Sequence, residues 1–325
     1  MPVTNFITDA EALTTTLEAE FDAPVARVWA AFTTPEQLSR FFGPPTWPAT
    51  FTEFDLQPGG RARYHMTGPN GELAAGQWEF VEVNEGTSFT VLDSFTDDSG
   101  NVNTEMPQMR VTYEFAPIGT GTKFTNVTYF ESVEALEQVV AMGAIEGSTL
   151  AFNQLDTVLH DLREFFTGKG TQHELLSDTL VRVQRLINGP ASAVWRAYTE
   201  PELIRKWMYG PDGWEVDEVE FTTTVGAKYL TSWKPVGDTE GEPFGFEGEL
   251  LFIDPQHRLV TTERMVGMPG EGTVNDLTFY EEDGATLLTL MIEYPNNELR
   301  DTVLATGMVD GMEASYARLE SVLTT

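Results

Sequence analysis

The stretch PVARVWAAFTTPEQLSRFFGP, residues 24–44, returns as PASAVWRAYTEPELIRKWMYGP at residues 190–211. Val28-Trp29 answers Val194-Trp195, Thr33 answers Thr199, and Pro35-Glu36 answers Pro201-Glu202. After a one-residue insertion Gly43-Pro44 aligns with Gly210-Pro211, and Trp47 with Trp214. The closing segments agree as well. GAIEGSTLAFNQLDTVL, residues 143–159, aligns with GMVDGMEASYARLESVL, residues 307–323, so that Gly143, Gly147, Leu155, Val158 and Leu159 recur as Gly307, Gly311, Leu319, Val322 and Leu323. This period is far longer than the roughly 20–50 residues of a solenoid repeat, so the repeating unit is a whole domain. Thr167-Gly168-Lys169-Gly170-Thr171 is rich in turn formers and reads as a linker, placing one domain at 1–168 and the other at 169–325.

Each copy begins with alternating residues, Thr14 to Phe21 and Leu180 to Leu186, which predict half-buried strands. Pro24 and Pro190 suit the first turn of a short helix, and Pro35-Glu36 and Pro201-Glu202 open a second one that Gly-Pro closes. Strand patterns follow at 60–66, 76–83, 88–95, 109–115 and 123–130, divided by turns such as Asn70-Gly71 and Glu85-Gly86. The second copy repeats this rhythm to Thr286–Tyr294. Such a meander predicts an antiparallel sheet. Met142, Ile145, Thr149, Phe152, Leu155 and Leu159, like Met308, Met312, Tyr316, Leu319 and Leu323, step by threes and fours and predict one long closing helix per copy. The fold class is α+β: two tandem helix-grip domains, each a curved antiparallel sheet around a long C-terminal helix.

The motif P-x-x-x-V-W-x-A-[FY]-T-x-P-E, followed by an aromatic pair and Gly-Pro, resembles the AHSA-type group, the homologues of the activator of heat-shock-chaperone ATPase. The closing G-x-x-x-[SY]-x-x-x-L-x-x-[VL]-L carries the same resemblance. That group belongs to the START-like (SRPBCC) superfamily, and the likeness covers both halves. It implies a cavity between sheet and long helix that takes a hydrophobic or amphipathic molecule such as a lipid. Its name implies a chaperone partner as the alternative. The chain departs from the group's usual tryptophan pair at Phe41-Phe42 and at Trp207-Met208.

Composition narrows the function classes. The chain has 325 residues, too many for one ordinary core, and its 41% hydrophobic and 11% aromatic content supports packed interiors. With no cysteine there are no disulfides, thiolate metal sites or cysteine nucleophiles. The formal charge of −32 repels phosphate backbones and anionic headgroups, which argues against nucleic acid and membrane surfaces as partners. No export signal or membrane-spanning run is visible, so a cytoplasmic location is expected.

Catalytic signatures are missing. His65, His160, His173 and His257 do not recur between copies, and no nucleophile elbow, P-loop, dinucleotide fingerprint or zinc motif is present. Asp97-Asp98-Ser99-Gly100-Asn101 lacks the ligand spacing of a calcium loop. No metal, cofactor or catalytic residue is assigned.

The binding candidates are apolar and aromatic. On the strand from Arg61, Tyr64 and Met66 share one face, and Met66 aligns with Trp233. Trp78, Met109, Tyr113 and Met142 are further lining candidates, with Met308 in the second copy and Trp47 and Trp214 near the entrance. A helix-interior glycine costs about 1 kcal/mol relative to alanine, so Gly143/Gly147 and Gly307/Gly311 suggest excluded bulk and a cavity mouth, with Glu146 and Asp310 at its rim. A cyclase or hydrolase would use those carboxylates as its acid–base groups. The fused pair is expected to be a monomer with an internal pseudo-two-fold relation.

Overall fold

The computed structural model describes residues 2–97, 99–208 and 213–323. Gly210-Pro211 and Asp98, both read above, lie outside the described residues. The chain divides into two compact units between Asp161 and Leu162.

In the first unit, β1 (Val3–Asp9) and β2 (Thr14–Phe21) precede α1 (Val25–Thr33) and α2 (Pro35–Leu38). Then come β3 (Ala49–Phe54), β4 (Arg61–Thr67), β5 (Leu73–Asn84), β6 (Ser88–Thr96), β7 (Met109–Ile118) and β8 (Gly121–Tyr129). The unit closes with α3 (Val133–Ala141), α4 (Ala144–Phe152) and α5 (Asp156–Leu159). All eight strands form one antiparallel sheet in the order β1-β2-β8-β7-β6-β5-β4-β3. Alternation decides which side chains face the helices. Leu17, Ala19 and Phe21 from β2, Trp78 and Phe80 from β5, Tyr113 and Phe115 from β7 and Phe124 from β8 pack with Val28 and Phe32 of α1 and Phe152 of α4. The core is mostly rings: Phe32 stacks on Phe124 at 4.8 Å, and Phe89 on Tyr113 at 4.5 Å.

The second unit opens with α6 (Leu162–Phe165), whose Leu162 is buried with Phe166, Leu186 and Leu287. It continues with β9 (Gln172–Leu175), β10 (Leu180–Ile187), α7 (Ala191–Thr199) and α8 (Pro201–Trp207). Its remaining strands are β11 (Trp214–Glu220), β12 (Lys228–Pro235), β13 (Phe244–Asp254), β14 (Arg258–Met265), β15 (Thr273–Glu282) and β16 (Ala285–Glu293), followed by α9 (Asn297–Ala305) and α10 (Met308–Leu323). The sheet order β9-β10-β16-β15-β14-β13-β12-β11 repeats that of the first unit.

The duplication extends to single hydrogen bonds. Thr122 and Thr286, both fully buried, donate their hydroxyls at 2.7 Å to the carbonyls of Ala23 and Gly189, the residues preceding the two matched prolines. Ser132 caps α3 by accepting from the Ala135 amide at 3.2 Å, and Asn296 caps α9 by accepting from Leu299 at 2.9 Å.

The closing helices correct one sequence expectation. Gly143 and Gly307 are not helix-interior: each is a joint in the left-handed region, at φ +82° and +79°, with one helix ending before it and the next beginning after it. A residue without Cβ takes that conformation without strain, which accounts for glycine at both joints. In the first unit the long helix is also interrupted between α4 and α5, whereas α10 runs unbroken. A Cβ at Gly147 would stand 3.3 Å from Cγ of Pro44, while one at Gly311, which is exposed, would meet nothing within 4 Å. Gly143 and Gly307 therefore mark helix joints, and Gly147 a close packing contact.

Candidate functional site

The inner face of the first sheet gathers four of the sequence candidates around a residue the sequence reading missed. Tyr64 on β4 lies opposite Gly76 on β5, and Trp78 on β5 lies opposite Asp93 on β6. Asp93 in turn faces Met109 on β7. A Cβ on Gly76 would come within 2.5 Å of the Tyr64 hydroxyl. The missing side chain lets the phenol cross β5 and donate to Asp93 Oδ1 at 3.1 Å. Tyr64 and Trp78 stand 6.0 Å apart, and Trp78 and Tyr113 5.6 Å, so the rings of three candidates cluster beside the carboxyl.

Burial among these rings raises the pKa of Asp93 to about 6, held from rising further first by the Tyr64 hydrogen bond, then by the nearby Trp78 indole dipole and the Ser94 amide. The phenols of Tyr64 and Tyr113 are pushed well above the ordinary tyrosine value, by burial first and then by the Asp93 charge. The indole N–H of Trp78 is turned to the carboxyl without closing a hydrogen bond, and Nε1 is buried with no partner. Trp78 is fully buried, whereas Asp93 and Tyr64 are only half-buried and keep surface open to solvent.

The second unit builds the same arrangement from different positions. Tyr229 on β12 lies opposite Gly248 on β13, where a Cβ would collide with the Thr262 carbonyl and stand 2.7 Å from Cε1 of Tyr229. The Tyr229 hydroxyl donates to the Thr262 carbonyl at 2.9 Å and lies 3.3 Å from Glu263 Oε2 on β14. Strand pairing shows which positions correspond. The β5–β6 hairpin closes on Asn84 and Ser88, the β13–β14 hairpin on Asp254 and Arg258, and both carry a bulge at the same place. Counting from those ends, Asp93 and Glu263 are equivalent, while Tyr229 stands where the first unit has Ala62 and Tyr64 where the second has Thr231.

Burial raises the pKa of Glu263, opposed by hydrogen bonds with Asn275 and Tyr229. The Tyr229 phenol is raised by its burial, with the Glu263 charge adding to it. Tyr294 is pushed up to about 12 by burial and by the same charge. The two inner rings and the methionine of the first site are replaced here: Trp78, Met109 and Tyr113 correspond to Gly248, Thr273 and Leu277.

The other sequence candidates lie elsewhere. Trp47 is half-buried with its ring against Gly68, and Met66 is half-buried on β4 between Ala49 and Ala74. Met142 ends α3 at 55% exposure, and Glu146 is exposed in the first turn of α4. Trp233 stacks on Phe244 at 5.2 Å and donates to the Met208 carbonyl at 2.7 Å, and Trp214 meets the same Phe244 edge-on at 5.1 Å. Met308 is half-buried with its sulfur 3.8 Å from the Tyr294 hydroxyl, and Asp310 is exposed in the first turn of α10. The carboxyls held away from their ordinary proton affinity on the inner faces are thus Asp93 and Glu263. For Asp93 the signal is a polar residue at an inward position of an otherwise apolar face, Phe89, Val91 and Phe95, whereas β14 carries Thr261 beside Glu263 and gives no such signal.

Surface depressions of about 330 and 380 Å³ lie at Pro35, Ser39 and Phe54 and at Met106, Gln108 and Ser132, apart from both carboxyls. Among the described residues no cluster of three or more His, Cys, Asp or Glu is arranged for a metal, and no helix is long and apolar enough to cross a membrane.

Comparison with known proteins agrees with the repeated architecture. A search of the curated proteins finds no match. Among solved structures, a Mycobacterium smegmatis protein is 47% identical over 49% of this chain and 98% of its own, with a TM-score of 0.47. A protein from Arthrobacter aurescens is 40% identical, covering 48% of this chain and 91% of its own, at 0.47. One from Rhodobacter sphaeroides is 28% identical, covering 48% and 98%, at 0.44. The family model described as activator of Hsp90 ATPase homolog 1-like protein matches twice, over residues 22–160 and 188–324. The chain belongs to that family, with one copy of its domain in each half.

Proposed function

We propose that the protein binds a small hydrophobic or amphipathic molecule on the inner face of each sheet, with the molecule's polar end at the tyrosine–carboxyl pair. The observation that carries this reading is the recurrence of the pair. Two domains whose residues around the site differ both place a tyrosine across a glycine and beside a half-buried carboxyl at one equivalent position. Burying a carboxyl without a cationic partner opposes folding, so retaining it twice points to use rather than packing. The half-buried edge of Asp93 and Tyr64 offers an approach, and the rings behind it offer apolar contact.

Native mass spectrometry and thermal shift of the purified chain against fatty acids and aromatic polyketides test this reading. A bound mass, a raised melting temperature and a change in tryptophan emission are expected with at least one class. No shift with any class would remove the proposal.

The family description favours a second reading, a protein-interaction role on an Hsp90-type chaperone. The charge of −32 would meet a basic surface of the partner. Stimulation of the chaperone's ATPase that weakens with added salt would support it, and no effect at low salt would end it.

A further inference from the structure

We propose that the site at Asp93 is selective for a molecule whose polar end is a positively charged, alkylated nitrogen. This rests on the reading that the inner face binds a small amphipathic molecule, and it names that molecule's head group.

The argument starts from what the carboxyl lacks. Asp93 is met by Tyr64 from β4, Trp78 from β5, the Ser94 amide on its own strand and Met109 and Tyr113 from β7. None of these carries a positive charge, and among the described residues no Lys, Arg or His pairs with it. Buried carboxylates are ordinarily paired with a cation or neutralised. Here the protein supplies neither a base nor a second carboxyl to share the proton.

The surroundings match one kind of counter-ion. Tyr64, Trp78 and Tyr113 form an aromatic cluster beside the carboxyl, with 6.0 and 5.6 Å between successive ring centroids. Aromatic faces attract an ammonium through their quadrupole, most strongly when the ion is desolvated, and alkylation removes the N–H groups that water would otherwise hold. A compact ammonium carries three N–H donors that call for several acceptors, whereas the first site sets a single carboxyl among aromatic rings.

Trp78 adds a second observation. Its buried Nε1 has no partner, although the indole faces Asp93. A cation at the carboxyl holds Asp93 ionised, and an ionised carboxylate accepts from both the Tyr64 hydroxyl and the Trp78 indole, satisfying the orphan donor. The second domain lacks this set, since Gly248 and Leu277 replace two of the rings and Asn275 hydrogen-bonds Glu263. The proposal is therefore confined to the first site.

The test is calorimetric titration of the full chain with benzyltrimethylammonium and with its neutral carbon isostere, neopentylbenzene, both at about pH 8, where an aspartate of pKa near 6 is ionised. The cation is expected to bind about tenfold tighter than the isostere. Asp93→Asn should remove about that factor for the cation and leave the isostere unchanged, with its thermal unfolding confirming the fold. Tyr113→Leu, which installs the residue of the second domain, should weaken the cation several-fold. Equal binding of cation and isostere, or an Asp93→Asn variant that binds the cation as before, overturns the proposal. If fatty acids or polyketides bind and the cation does not, the cationic head group is wrong and small-molecule binding stands. If no class binds, both fall.

Discussion

Asp93 shows how one residue sets a measurable property. Its ordinary pKa is 3.8 and burial raises it to about 6. A carboxyl raised on folding gives its full stabilisation below the ordinary value and loses it as pH climbs through the folded value. Stability should therefore fall between about pH 4 and pH 6, by about 3 kcal/mol at most, at about 1.4 kcal/mol for each tenfold change in proton affinity. The solvent that reaches this half-buried residue makes the figure an upper bound. Asp93→Asn should flatten that decline, so urea unfolding across this range should give the variant a smaller slope than the parent. Equal slopes would mean that Asp93 titrates as an ordinary surface acid. The alternation of Phe89, Val91, Asp93 and Phe95 marks Asp93 as inward, but its neighbours are not legible from the sequence, because only strand pairing brings it to Trp78 and Tyr64. Tyr64 and Trp78 were readable as inward residues because aromatic alternation within a strand survives without knowledge of partners.

At the scale of elements, the helix joints carry the clearest expectation. Gly143 holds φ +82°, and a methyl added there would meet nothing within 4 Å, so Gly143→Ala tests backbone strain without a clash. It should destabilise by about 1 kcal/mol. Gly311 lies inside α10 with equally open surroundings and no positive φ, so Gly311→Ala should stabilise by up to about 1 kcal/mol. Paired chemical denaturation of the two variants checks the opposite signs, and a stabilised Gly143→Ala would contradict the joint. The sequence showed these glycines recurring but not their different backbones, since helical spacing continues straight through a joint where the chain turns. Edge strands were hidden for a different reason. β1 and β9 pair on one side and bury little, so their residues show no alternation to read. The central strands, packed on both edges and on the helices, were legible in place and order, as 76–83 against Leu73–Asn84 and 109–115 against Met109–Ile118 show.

For the whole molecule, charge sets the response to the medium. A net charge of −32 on 325 residues repels itself in the folded state, and dissolved salt screens that repulsion. Raising ionic strength from about 0.01 M to about 1 M, where the screening length falls from about 30 to about 3 Å, should raise the melting temperature. Scanning calorimetry in sodium chloride provides the measurement, and a melting temperature that falls with salt would show that attractive ion pairs outweigh the repulsion. The duplicated architecture was readable at this scale from matched residues at both ends of each copy, because those residues form α1, α7 and the closing helices in the structure. What duplication alone did not reveal is that the two inner faces have diverged, with Gly248, Thr273 and Leu277 standing where the first has Trp78, Met109 and Tyr113.

The displaced tyrosines bear on how that divergence proceeded. Tyr64 and Tyr229 are two positions apart along corresponding strands, and Gly76 and Gly248 are displaced by the same two. Each phenol needs the gap in front of it, so neither half of the exchange is neutral alone: a tyrosine arriving first meets a side chain, and a glycine arriving first leaves a hole. Moving a phenol to the other unit's position therefore requires its facing glycine to move with it. Lineages of this family should accordingly show tyrosine and glycine changing together, as an inherited couple.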